Sequence, residues 1–312
     1  MMEYFADLHV HIGQAKNQPV KITASRSLTL DNIYDYCINK KGIDIVGIVD
    51  CASPLVLEEI QEQLNNEKLI PMPGGGARYE DKLTIVFGAE IETTEPKGVA
   101  HSIAFFPYYE QIKDFSSIMA GYITNIYLSS QKARLCAKDL IKIVQSLGGV
   151  LIPAHVFTPF KSFYGSCYDR LSHAFEDELD NVISVELGLS ADTDFADTIS
   201  ELATRSYLTN SDAHSLEKIA REYNKMNLQF PDFENIISAL KGLDNNYIVS
   251  NYGLDPKLGK YHRTFCPTCN YVAHENFPVV KCPKCDNESV TLGVFDRIAV
   301  IADYNAPIHP EN

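Results

Sequence analysis

Two clusters of histidine and carboxylate stand out in this chain of 312 residues: Asp7-Leu8-His9-Val10-His11 near the start and Ser211-Asp212-Ala213-His214 much further along. In an extended strand, residues two apart point to the same side. His9 and His11 therefore aim at one point, as do Asp212 and His214. Between the clusters, Asp50, Glu90, His101, His155 and Glu186 each fall near the end of an apolar, strand-like run. A lone histidine is usually an ordinary core or surface residue, but five of the chain's nine at successive strand ends form a set. Five imidazoles and four carboxylates can hold two or three divalent ions, with zinc, manganese, magnesium or iron as candidates. Such a centre suits the hydrolysis of a phosphate ester. Glu90, His155 and Asp212 are the candidates closest to the chemistry. Asp7 shares the face of His9 and His11, either as a ligand or as an acceptor behind an imidazole N–H.

A second constellation is Cys266-Pro-Thr-Cys269 followed by Cys282-Pro-Lys-Cys285. Two Cys-x-x-Cys knuckles with twelve residues between them fit a four-cysteine zinc ribbon. Four thiolates leave no open coordination position, so this zinc is expected to be structural.

The elements that must position these residues alternate. Strands are expected over 4–11, 43–49, 83–91, 100–106, 150–152, 182–187, 207–209 and 247–250. Helices are expected over 30–40, 53–64, 130–147, 192–204 and 233–241, and a loop over 71–82. Strand then helix, repeated about seven times over some 250 residues, favours a closed barrel of parallel strands, with the chemistry at the strand C-termini. The expected organisation is a barrel over residues 1–256, the zinc ribbon over 257–295, and a C-terminal segment over 296–312 for which truncation is one of two readings, the other being a shorter family member. No apolar run reaches the roughly 20 residues a membrane helix needs, and the first residues lack a signal-peptide pattern, so no membrane partner and a cytoplasmic location are expected. The net charge of −14 argues against broad, nonspecific nucleic-acid binding. Any polyanion contact must be local, and residues 257–297 do carry six basic side chains against four acidic ones.

Together, Asp7-Leu-His-Val-His11, Gly88-Ala-Glu90, His101, Pro153-Ala-His155 and Ser211-Asp-Ala-His214 resemble the motifs of the polymerase-and-histidinol-phosphatase (PHP) superfamily. That resemblance implies a distorted seven-stranded (β/α)7 barrel, a trinuclear metal centre and phosphoester hydrolysis. By position, His9, His11, Glu90, His101, His155, Asp212 and His214 match the superfamily's ligands. Two departures stand out: Gln14 and Lys16 occupy the stretch where a further histidine is usual, and Asp50-Cys51 replaces an Asp-His pair. The metal bound by those histidines is then absent or held through Asp50, Cys51 or Glu186.

A PHP barrel followed by a four-cysteine ribbon further resembles the endonuclease Q family, as do Ile152–Phe160, Ser184–Ser190, Thr209–Ser215 and Gly259–His262. This resemblance implies cleavage of DNA 5′ to a deaminated base (hypoxanthine, uracil, xanthine) or an abasic site. The aromatic stretch after His155 offers Phe157, Phe160, Lys161, Phe163 and Tyr164 as lesion contacts, or alternatively as a hydrophobic lid. Lys260, Arg263, Lys281 and Lys284 join Lys161 as phosphate-contact candidates. The competing readings are a small-molecule phosphomonoesterase of the histidinol-phosphatase kind and a degenerate barrel that only binds nucleic acid.

Overall fold

The structure is a computed structural model in which residues 2–309 are described. Eleven strands build its body: β1 (Met2–Val10), β2 (Ile45–Ile48), β3 (Leu69–Pro71), β4 (Ala77–Tyr79), β5 (Leu83–Glu95), β6 (Gly98–Phe106), β7 (Val150–Pro153), β8 (Ser184–Glu186), β9 (Ser206–Leu208), β10 (Tyr223–Leu228) and β11 (Tyr247–Tyr252). Nine of them form one mixed sheet in the order β11-β10-β1-β2-β5-β4-β3, with β6 on β5 and β7 on β6. β1, β2 and β5 run parallel. β6 and β7 do not: each is antiparallel to its predecessor.

The fold is mixed α/β, as expected, but two parts of the expectation are corrected. The sheet is not a closed ring of seven parallel strands. β5 and β6 are joined only by Pro96-Lys97, a hairpin turn that needs no crossover helix and reverses the chain. β8 and β9 pair with each other as a separate parallel ladder. They approach the large sheet through Val156 N–H to Glu186 O (2.9 Å) on one side and the Val10–Ala213 bridge on the other. The strands thus surround a common interior while the hydrogen-bond ladder stays open.

Helices α1 (Leu30–Tyr36), α2 (Pro54–Asn65), α3 (Tyr109–Met119), α4 (Ala137–Ser146), α5 (Phe233–Lys241) and α6 (Val294–Ile301) cover the sheet. α5 matches its expected span because both ends are marked. Asp232 accepts from the Asn235 N–H, and Gly242 takes the left-handed conformation (φ +63°) that ends the helix. The helix expected from Ser130 begins only at Ala137, because Ser130 has φ +51° and its hydroxyl is drawn to Glu90. The helix expected over 192–204 is two short pieces, Thr193–Ala196 and the turn Ser200–Leu202. β4 lies inside the expected loop, and α3 is absent from the expected helices although Tyr109, Ile112, Phe115 and Met119 recur at helical spacing.

Alternation along β1 sorts the core. Tyr4, Ala6 and Leu8 join Phe233, Ile236 and Leu240 of α5 in one apolar layer, each buried Leu, Ile or Phe contributing roughly 2 kcal/mol. Asp7 and His9, with His11 just beyond the strand, are fully buried on the opposite side, inside the ring of strands. α6 ties the C-terminal part to the body: Val294, Ile298 and Ile301 enter the main core, and Arg297 donates to the carbonyls of Tyr164 (2.7 Å) and Tyr168 (3.0 Å). Asp296, buried, accepts from the Thr264 and Val279 N–H groups, both at 2.7 Å, so the same helix organises the cysteine region. Among the described residues, no helix is long and apolar enough to cross a membrane.

Candidate metal centre

The strand ends bring seven of the expected ligands into three overlapping groups: His9, His11 and Glu90; His11, Asp212 and His214; and Glu90, His101 and His155. Within each group, one ligand atom per residue lies within 4.8 Å of the others. His11 and Glu90 each belong to two groups, so any ions held there would share ligands. His155 (φ +32°) and Asp212 (φ +46°) both follow strands in a left-handed backbone conformation. Strain of this kind, about 1–3 kcal/mol per residue, concentrates at functional sites.

The imidazoles are oriented from behind. His9 Nδ1 lies 2.9 Å from Glu186 Oε1, and His11 Nδ1 lies 3.0 Å from Asp50 Oδ1. Each Nδ1–H donates to its carboxylate, which reserves Nε2 for the interior. Those two Nε2 atoms are 3.3 Å apart, and Asp212 Oδ1 lies 3.5 and 3.3 Å from them. Two imidazole nitrogens and a carboxylate oxygen converging on one point call for a cation between them, either a proton or a metal ion. A tetrahedral ion with bonds of about 2.0–2.1 Å holds its ligand atoms roughly 3.4 Å apart, so the donor set fits a divalent metal. His101 follows the same plan: its Nε2 lies 3.1 Å from Glu92 Oε2, and its Nδ1 faces Glu90 Oε1 at 2.7 Å.

Electrostatics agree. Burial favours the neutral form of His9, yet Glu186, Asp212 and Glu90 together push its pKa up to about 10. Burial also pushes Glu90 up, but the charges of His101 and Lys21 prevail and hold it well below the usual carboxylate range. A pocket that binds a proton this strongly attracts any cation, and a metal binds by displacing that proton. Lys21, nearly buried, adds its ammonium 2.9 Å from Glu90 Oε2.

Above the groups opens a cleft of about 570 Å³. Lys21, Lys161, Arg221 and Lys260 line it, as do Phe160 and Tyr261. The cysteines form a fourth group. Cys266 Sγ lies 3.7 Å from Cys285 Sγ, and Cys269 Sγ lies 3.5 Å from Cys282 Sγ. These spacings are far beyond a disulfide bond of about 2.05 Å and close to the roughly 3.7 Å of a tetrahedral zinc thiolate. Burial opposes ionisation of Cys266, but the N–H groups of Cys269 and Thr268 bring its pKa down to about 6.

No family model matches the chain. YqxK of Bacillus subtilis, an uncharacterized protein, is 42% identical over 307 residues, spanning 97% of this chain and 78% of its own. The lesion-specific endonuclease PfuEndoQ of Pyrococcus furiosus superposes with a TM-score of 0.81 at 32% identity, over 97% of this chain and 72% of that one. An endonuclease Q bound to a duplex with an abasic lesion at its active site superposes with a TM-score of 0.83 at 32% identity, over 100% and 75% of the two chains. This chain belongs to the endonuclease Q family. A much more distant likeness, PsfC of Pseudomonas syringae (TM-score 0.50, 14% identity), reflects the fold alone.

Against this endonuclease Q framework, some expected residues take other places. Asp50 and Glu186 face the far nitrogens of His11 and His9 and stand outside the three groups. Asp7 contacts no imidazole nitrogen and instead accepts from the N–H groups of Ser211 (3.1 Å) and Ala220 (2.8 Å), fixing the Asp212 loop. Cys51 is also outside the groups: its Sγ lies 3.2 Å from the Ile48 carbonyl, and burial raises its pKa. Phe157, Phe163 and Tyr164 are completely buried, which corrects their reading as lesion contacts. They serve the core, with Phe157 stacked on Tyr164 at 5.2 Å. Arg263 is also corrected: it is paired with Asp296 and donates to the carbonyls of Glu275 and Phe277, leaving it no fork for a phosphate. Lys281 pairs with Asp286, while Lys284 is exposed. Phe160, Lys161 and Lys260 do lie at the cleft. The sequence reading missed Glu92, Lys21, Ser129 and Ser130. The hydroxyls of Ser129 and Ser130 donate to Asp50 and Glu90. Only Glu92 had a signal, its spacing of two from Glu90 on one strand.

Proposed function

We propose that this protein is a metal-dependent endonuclease that hydrolyses DNA on the 5′ side of a damaged nucleotide, leaving 3′-hydroxyl and 5′-phosphate ends. Its lesions are abasic sites and the deaminated bases hypoxanthine, uracil and xanthine. One observation carries this reading: three ligand groups joined through His11 and Glu90 lie at a cleft lined by Glu90, His101, His155, Asp212 and His214, in a chain alike over its full length to an endonuclease Q solved on a lesion-bearing duplex. Two or three divalent ions are assigned to the barrel groups (zinc, manganese, magnesium or iron) and one structural zinc to the four cysteines. When bound, barrel ions supply hydroxide at neutral pH and neutralise charge on the phosphate.

The chain's own residues do the rest. Glu90, Asp212 and His155 are assigned to the chemistry, with His9, His11, His101 and His214 as further ligands. Asp50 and Glu186 keep two imidazoles in the tautomer that presents Nε2. Lys21, Lys161 and Lys260 give an otherwise acidic protein its local attraction for the phosphodiester backbone.

The test uses end-labelled duplexes carrying a single abasic site or a single deoxyinosine, with an undamaged control, in Mn2+ or Mg2+. A single cut 5′ to the lesion, absent from the control, is expected. Turnover of a small phosphomonoester with no cut on any damaged duplex would refute the endonuclease reading in favour of a phosphatase.

A further inference from the structure

A lysine is built into the metal centre, and its ammonium is placed as firmly as the ligands. The chain returns to the site soon after His11. Val20 N–H donates to the Gly13 carbonyl and Lys21 N–H to the Ile12 carbonyl, both at 3.0 Å, and Ser129 N–H donates to the Val20 carbonyl at 2.9 Å. Lys21 therefore starts from a backbone clamped on two sides. Its nearly buried side chain ends 2.9 Å from Glu90 Oε2 and 2.5 Å from the Ser130 hydroxyl oxygen. The Ser130 hydroxyl donates to the same carboxylate oxygen, so ammonium and hydroxyl close on Glu90 together.

The two oxygens of Glu90 are thereby divided. Oε1 faces Nδ1 of His101 (2.7 Å), Nε2 of His155 (3.4 Å) and Nε2 of His9 (3.6 Å). Oε2 faces Nε2 of His11 at 3.6 Å but spends its close contacts on Lys21 and Ser130. Imidazoles cannot be divided in this way. Nδ1 of His9 and of His11 is occupied by a carboxylate, so each ring has one nitrogen for one ion. His11 thus serves a single ion although it belongs to two groups. Counted by donor atoms, one ion belongs with His9, His11 and Asp212, and one with Glu90, His101 and His155.

Lys21 fills the position that a third cation would take. The charges of Glu90, Asp50 and Asp212 all act on its ammonium. Burial and the Lys21 charge both work against a further positive charge on His11 and His214. Two divalent ions would just neutralise Asp50, Glu90, Glu186 and Asp212, while Glu92 and Lys161 offset each other at 2.8 Å. The ammonium then leaves the centre with an excess of positive charge, which attracts a phosphodiester. We propose that Lys21 is a permanent third cation of the centre, holding Glu90 Oε2 where another metal ion would otherwise bind and weakening the hold on the ions beside it. This goes beyond the endonuclease reading and stands whether or not the duplex assay succeeds, because its test needs no DNA.

Protein freed of barrel metal by chelation is titrated calorimetrically with Mn2+, and bound metal is counted by elemental analysis, for wild type, Lys21→Gln, Lys21→Met and Lys21→Arg. Glutamine keeps a donor for Glu90 but no charge, methionine keeps neither, and arginine keeps both. Removing a unit charge this close to a divalent ion is expected to tighten its binding by at least about tenfold in both neutral variants, with Lys21→Arg within about threefold of wild type. Metal should also raise the melting temperature of the neutral variants further than that of wild type, which reads the same difference where a metal-free variant is less stable. Wild type is expected to hold two ions outside the cysteines. Three ions there would overturn the proposal, and so would unchanged affinity in the neutral variants. Equally damaging would be a Lys21→Gln that matches wild type beside a weakened Lys21→Met, the pattern of a lysine that only positions Glu90 by hydrogen bonding.

Discussion

Glu92 offers the sharpest test of how the centre is built. It sits on β5 two residues beyond Glu90, buried, with Oε2 3.1 Å from His101 Nε2 and 2.8 Å from Lys161 Nζ. In this arrangement Glu92 does for His101 what Glu186 and Asp50 do for His9 and His11. Its carboxylate fixes a proton on the far nitrogen, so that Nδ1, which faces Glu90, is the nitrogen a metal would take. Removing such a carboxylate typically lowers metal affinity by about 10- to 100-fold, equivalent to roughly 1.4–2.7 kcal/mol. Glu92→Gln keeps an oxygen acceptor but loses the charge that makes the bond about twice as strong. It is expected at the lower end of that range, with Glu92→Ala at the upper end. Chelator competition followed by elemental analysis reads the effect, and metal held by the four cysteines would serve as an internal reference because that group does not involve Glu92. The expected result is the selective weakening of one barrel ion, with the remaining metal and the circular dichroism spectrum unchanged. Unchanged affinity for every ion in Glu92→Ala would refute the argument, as would loss of metal from the four cysteines together with the barrel groups.

Asp212→Asn, chosen because asparagine tolerates the left-handed backbone found there (φ +46°), is expected to reduce cleavage by at least about 100-fold with little change in melting temperature, measured by gel assay and calorimetry. Phe157→Ala should destabilise the protein by about 3–5 kcal/mol in urea titrations because its ring is fully buried, whereas the exposed Phe160→Ala should stay within about 0.5 kcal/mol. Glu222 is buried, and among the described residues its second carboxylate oxygen has no partner. Burial raises its pKa from 4.5 to about 7, so the fold favours its protonated form. That contribution is complete below pH 4.5 and is lost as pH rises through 7. Glu222→Gln should therefore match wild type near pH 5 and exceed it by about 1–3 kcal/mol near pH 9, again read by urea titration.

The ligand positions were legible because period-two geometry needs only one strand to make its prediction. His9 and His11 converge through β1 alone. Asp212 and His214 are brought to the same point by the Val10–Ala213 bridge, which their spacing from His9 does not reveal. The strand pairing was less legible. β5 and β6 read as two strands of an alternating pattern, and only the short Pro96-Lys97 connection reveals that the chain reverses there. The aromatic stretch after His155 misled for a physical reason. Phe157, Phe163 and Tyr164 share their residue types with a lesion-binding loop, but burying three rings stabilises the fold by several kcal/mol. Only Phe160, held at the cleft by the Thr158 hydroxyl, is left facing solvent.

The hardest feature to foresee was the division of labour among the acids. Nine carboxylates and imidazoles looked equivalent as donors, yet Asp50 and Glu186 turn to Nδ1 atoms and leave the lone pairs of Nε2 to the interior. The reason lies in charge. Asp50, Glu90, Glu186 and Asp212 would bring four negative charges into one small, buried volume, which is prohibitive unless each has a cationic or hydrogen-bonding partner. His9, His11, His101 and Lys21 supply those partners in the protein alone. Divalent ions would take over the inward-facing share and release the imidazole protons, while the outward pairs of Asp50 and Glu186 stay in place. The centre is therefore built so that binding metal replaces protons rather than rebuilding the pocket. Its affinity for metal should rise with pH through the range in which His9, held near pKa 10 without metal, would otherwise keep its proton.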